Sequence, residues 1–167
     1  MKILIETIAV TLIYEAFVVG LILVKGAVFM INDYPPAIKK RVFERKLVDE
    51  SQLPSKRTGI LNDVVGVALM LLLFVGTSYG INAERSFWPA FFQAYLFANG
   101  ISWFDALILD CVWFCHSKRF IIPGTEDMAK DYHDYWFHIR FAVVGLAALA
   151  VPAAICGGIV VLLAHVF

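Results

Sequence analysis

Charge is the first thing this sequence has little of. Asp, Glu, Lys and Arg make up 17% of the 167 residues, where a soluble domain carries about 25%. The 14 basic and 14 acidic side chains cancel, so no net field draws the chain to nucleic acid and none is expected as a partner. Cysteine is scarce too. Cys111, Cys115 and Cys156 are odd in number, lie in apolar stretches and lack a secreted-framework spacing, which excludes a disulfide scaffold and predicts reduced thiols. CxxC, HExxH and ExxH are absent, and so are a Gly-rich phosphate loop, a nucleophile elbow and a dinucleotide fingerprint. No internal repeat stands out.

What is abundant is hydrocarbon. Sixty per cent of the residues are hydrophobic, and they fall in four blocks, 3–31, 60–81, 88–115 and 139–167. Each reaches the roughly 20 residues that cross a bilayer as a helix. The expectation is an all-α, integral membrane four-helix bundle, one polytopic domain over residues 1–167, with the lipid bilayer as its first partner. Met1 and Lys2 look like the start of a signal peptide. Glu6 and Glu15 interrupt the apolar run, however, and no small-x-small site closes it, so the block reads as an uncleaved span.

The connections differ in kind. Pro35 and Pro36 end the first helix. After them Ile38, Val42, Phe43 and Leu47 recur at helical spacing among Lys39, Lys40, Arg41, Arg45 and Lys46. This predicts an interfacial amphipathic helix, apolar face down on anionic lipid, ending near Pro54 and Ser55. The turn from Asn82 to Ser86 is short, so spans two and three are expected to be antiparallel neighbours. In the loop 117–138, Thr125 with Glu126 and Asp127 is a candidate helix cap. In span four Pro152 predicts a kink whose freed carbonyl needs another donor. Ala150, Ala154 and Gly158, with Ala153 and Gly157 offset from them, predict close helix contact.

Eleven Lys and Arg residues lie in or beside the loops 32–59 and 117–138, against Lys2 and Arg85 on the other side. The positive-inside rule then puts both loops in the cytoplasm and both termini outside, as in a bacterial inner membrane.

The few polar residues inside the blocks are the candidate site. An ionised Asp at the centre of a span costs about 2.5–3.5 kcal/mol to insert, so such a residue needs a partner or a use. Span three is the richest, with Asn99, Asp105, Asp110 and His116. At 100° per residue Asn99, Trp103 and Asp110 share one face and Asp105 and His116 a second, which calls for a central position. In span one Thr7, Thr11, Tyr14 and Lys25 form a stripe beside Glu15. Asp63 begins span two and is also suited to the positive end of the helix dipole. The expected ligand or ion pocket is Glu15, Lys25, Asp63, Asn99, Asp105, Asp110 and His116, open to the cytoplasm, with Lys25 neutralising Asp110 or Asp63.

Three functions are compatible with this pattern. One is binding or transport of a small solute or ion, which with four spans favours a homo-oligomer. A second is a membrane-embedded enzyme using the His/Asp cluster, with a divalent metal as a possible cofactor on His116, His133, Asp134 and His138. A third is a structural subunit docking on a larger membrane partner.

Overall fold

The computed structural model describes residues 1–49, 53 and 55–167. Among them every regular element is a helix. The long ones are α1 (Lys2–Lys25), α3 (Lys56–Val75), α4 (Phe87–Phe104), α6 (Tyr135–Ala148) and α7 (Ala150–Val166). The short ones are α2 (Pro36–Glu44) and α5 (Ala129–Tyr132). Two long helices run on as π-helix, α3 through Gly76–Ile81 and α4 through Asp105–Phe114. Among the described residues three helices are long and apolar enough to cross a membrane, or four if the bent pair Ala129–Ala148 and Ala150–Val166 is one span.

The first helix is shorter than its apolar block. It stops at Lys25 because Gly26 takes φ 82°, a left-handed conformation natural to glycine. A 3-10 stretch over Ala27–Asp33, kinked at Met30, carries the chain on. The second helix starts earlier than its block. The Ser55 hydroxyl accepts the Thr58 amide at 3.1 Å and caps it. Asp63 therefore lies beyond the first turn, out of reach of the dipole role expected for it. The fourth apolar block breaks at Leu149, with 42° between α6 and α7. The cause is Pro152, whose ring presses on the carbonyl four residues back, that of Ala148. Near the bend the Tyr95 hydroxyl of α4 donates to the Leu146 carbonyl at 2.6 Å, two residues before the carbonyl that Pro152 frees.

α4 is central, packing against α1, α3, α6 and α7. Missing side chains make this possible. A Cβ on Gly100 would lie 2.7 Å from the Thr7 methyl and 2.9 Å from the Thr11 hydroxyl, and one on Gly157 would lie 2.9 Å from the Phe87 ring. Of the small residues in α7, the offset pair Ala153 and Gly157 is seated in the bundle, whereas Gly158 meets nothing within 4 Å.

Polar clasps hold the two ends. At one end Glu6 of α1 accepts from Asn82 at 3.0 Å and from Gln93 at 2.8 Å, and Gln93 accepts from Ser78 at 2.7 Å. At the other, α2 docks on the segment after α4. Tyr34 donates to the Phe120 carbonyl at 2.9 Å, and Arg41 pairs with Asp127. The apolar side of α2 is not laid on lipid. Ile38 and Val42 are fully covered by protein, in a core with Tyr34, Phe120, Ile122 and Tyr132, while Phe43 stays exposed. The reason is that the 117–138 loop supplies its own apolar side chains to meet them. α2 ends at Glu44, and Pro54, expected to mark its end, lies outside the described residues. Thr125 does not cap a helix. Its hydroxyl donates to the Ile122 carbonyl at 2.6 Å and meets the Tyr132 hydroxyl at 2.8 Å.

Gly100→Ala is expected to cost about 1–3 kcal/mol through forced separation of α1 and α4. Gly20→Ala, which meets nothing within 4 Å, is expected to leave stability unchanged or slightly raised. Thermal unfolding of the two variants in detergent checks the contrast.

Candidate functional site: an acidic and aromatic cavity

A cavity of about 590 Å³ opens between α1, the 3-10 stretch, the π-helical part of α4 and the start of α6. Its wall on the third long helix is a stripe of Ile101, Asp105, Leu109 and Trp113, with Ser102, Ala106, Asp110 and Phe114 beside it. These positions repeat every four residues. An α-helix has 3.6 residues per turn, so such a stripe would drift by about 40° at each step. From Asp105 the hydrogen bonds reach one residue further, and the Cys115 amide bonds to the Asp110 carbonyl. The wider turn absorbs the drift, and Asp105 and Asp110 line one cavity. On a uniform α-helical wheel they fall on different faces.

Glu15 forms the opposite wall. It is 3% exposed, and neither carboxylate oxygen has a hydrogen-bond partner among the described residues. The third feature is a dyad. His138 Nδ1 lies 3.0 Å from Asp110 Oδ2. The imidazole is 3% exposed, held by ring contacts with Phe114 and Phe137, and its Nε2 has no hydrogen-bond partner among the described residues. α6 positions it, because Asp134 accepts the Phe137 amide at 3.0 Å and caps the start of that helix, placing His138 in its first turn.

Of the residues expected in the pocket, Glu15, Asp105 and Asp110 line it. Lys25 and Asp63 do not. Both are exposed, and neither has an ion pair among the described residues. Lys25 is turned out because α1 ends there, so it neutralises neither aspartate. Asn99 lies outside the cavity, its amide donating to the Tyr95 carbonyl at 2.8 Å. His116 is on the surface, 3.0 Å from the Tyr135 hydroxyl, with its ring 4.9 Å from that of His133. The four candidate metal ligands are dispersed. His116 and His133 face each other outside, Asp134 caps α6, and His138 turns inward to Asp110. Among the described residues no three His, Cys, Asp or Glu side chains are placed to hold a metal ion.

The cavity also recruits residues not foreseen as site residues. Asp33, Lys39 and Arg140 stand at its rim. Asp33 follows the Gly26 break, and its carboxyl is held above the usual range by desolvation and by the Asp110 charge, with Lys39 pulling the other way. On the outer surface Asp127 is held below the usual range, first by its hydrogen bond from Arg41. Lys39 itself donates to the Asn32 carbonyl at 2.8 Å. The guanidinium of Arg140 lies over the rings of Phe137 and Phe141, at 4.6 and 4.9 Å.

Two titrations are expected to act on stability with opposite sign. The folded pKa of Asp33 is raised, so its contribution is full below the unfolded pKa and is lost as pH rises through the folded one. The folded pKa of Asp127 is lowered, so its contribution is present above the unfolded pKa and is lost as pH falls through the folded one. Asp33→Asn is expected to flatten the first dependence and Asp127→Asn the second, read from midpoints of thermal unfolding across acid to neutral pH. In the dyad, Asp110→Ala strands a buried imidazole and is expected to cost about 1–3 kcal/mol. A double-mutant cycle with His138→Phe is expected to be strongly non-additive.

No family model, no curated protein and no solved structure matches this chain, and the chemistry of the cavity is what bears on its function.

Proposed function

We propose that the chain is a four-span membrane protein that binds or transports a small solute or ion in the cavity between Glu15 and Asp105. The observation that carries this reading is Glu15. A carboxylate buried without a protein partner is costly, and here it borders a space large enough for a small molecule. The reading includes an inner-membrane orientation with both termini outside and the loops 32–59 and 117–138 cytoplasmic, from the Lys and Arg distribution. The rim then faces the cytoplasm. A homo-oligomer belongs to the same reading, since four spans are few for a transport path in one copy.

The Asp110–His138 dyad favours a second reading, a membrane-embedded enzyme. Asp110 fixes the ring through Nδ1 and leaves Nε2 without a hydrogen-bond partner among the described residues, the arrangement of a general base. Ser102 is a hydroxyl on the same wall.

Entry of protons and of small labelled cations into vesicles containing the purified chain tests the first reading. Glu15→Gln and Asp105→Asn are each expected to lower flux by about tenfold or more, since either removes a charge facing the path. Unchanged flux in both variants removes it. His138→Gln separates the readings, because an enzyme loses turnover with binding retained, whereas a carrier keeps most of its flux.

A further inference from the structure

We propose that the solute taken by this cavity is an organic cation, an ammonium group on an apolar body. The proposal rests on the cavity being a binding site and names the class of ligand it selects. Three independent features point the same way.

The first is charge. Glu15, Asp33, Asp105 and Asp110 line the space against two fixed cations among the described residues, Lys39 and Arg140. Both cations stand at the rim and are already engaged, Lys39 with the Asn32 carbonyl and Arg140 with two rings. Neither reaches Glu15, whose two oxygens have no hydrogen-bond partner among the described residues. A positive group beside Glu15 and Asp105 completes the pairing that buried charges need.

The second is the wall. Tyr14, Trp113, Phe114, Phe137 and Phe141 face the same space. Aromatic faces attract cations, and organic cations more selectively than hydrated inorganic ones. Arg140 lying over Phe137 and Phe141 is that interaction already made at the entrance by the protein's own cation.

The third is His138. Its ring is one of the lining side chains, and its Nε2 is buried without a hydrogen-bond partner among the described residues. It offers one polar contact to a hydroxyl or N–H on the ligand body, distinct from the carboxylates that hold the charge. The volume of about 590 Å³ accommodates a body larger than an ammonium alone.

The test is titration calorimetry on the full chain in detergent. The probes are choline, its neutral carbon isostere dimethylbutanol, the anion dimethylbutanoate, and phenyltrimethylammonium. Choline is expected to bind about tenfold or more tighter than either isostere, and phenyltrimethylammonium tighter still, because it adds an aromatic body to the charge. Glu15→Gln is expected to abolish the preference for the cation. Arg140→Gln is expected to strengthen cation binding about threefold or more by removing a competing charge and freeing two ring faces, a gain that a misfolded variant does not give. Neutral or anionic probes binding as tightly as choline, with loss of that binding in Ala142→Phe, would overturn the ligand class and leave the binding site standing. Weaker cation binding in Arg140→Gln also counts against it. Failure of every probe to bind, together with flux insensitive to Glu15→Gln, overturns the binding reading itself.

Discussion

Between Asp105 and Phe114 the third long helix carries its hydrogen bonds one residue further than an α-helix, and the interior of the protein is arranged around that change of pitch. It turns a stripe that repeats every four residues into a straight wall. Both aspartates then face the same space, and Trp113 and Phe114 follow them toward the rim. Without it, one aspartate turns away from the cavity. The same helix carries the close contacts at Gly100 and Phe87 that place α1 and α7 against it. Glu15 stands opposite Asp105 as a consequence of this packing.

The clasps at the two ends serve different purposes. The Glu6, Asn82, Gln93 and Ser78 network satisfies polar groups among themselves and ties α1, the turn after α3 and α4 together. At the other end, α2 and the loop after α4 make a compact cap with its own aromatic core, joined by Tyr34 and by the Arg41–Asp127 pair. That cap fixes the rim, because Asp33 and Lys39 enter it from one side and Phe120 from the other. The cavity is thus bounded by packed elements, while its deep polar groups, Glu15 and the His138 Nε2, keep hydrogen-bonding capacity unused among the described residues.

Much of this was legible from residue types. Long apolar blocks located the helices able to cross a membrane, Pro152 the bend, and the cost of an intramembrane carboxylate singled out Glu15, Asp105 and Asp110. The wheel failed at the π-helical turn, since a constant 100° per residue assigns Asp105 and Asp110 to different faces. Nothing local marks Asp33 as a cavity residue, because the 3-10 stretch after Gly26 brings it there. Lys25 is close to the site in sequence position only, since its helix ends with the side chain exposed. The apolar side of α2 was evident, but what covered it was not. Lipid and the 117–138 loop offer the same hydrocarbon, and periodicity does not distinguish them.

By itself the sequence determined the class of the molecule: hydrophobic length and scarce charge require helices whose backbones satisfy themselves, and isolated carboxylates among them mark where chemistry is possible. Tertiary structure alone decided which polar residues meet. His138 and Asp110 are 28 residues apart, Glu15 lies on another helix, and Arg140 reaches the rim only through the placement of α6. Proximity of that kind depends on helix pitch, break points and close packing, which are set by contacts between elements and not by the pattern within any one of them.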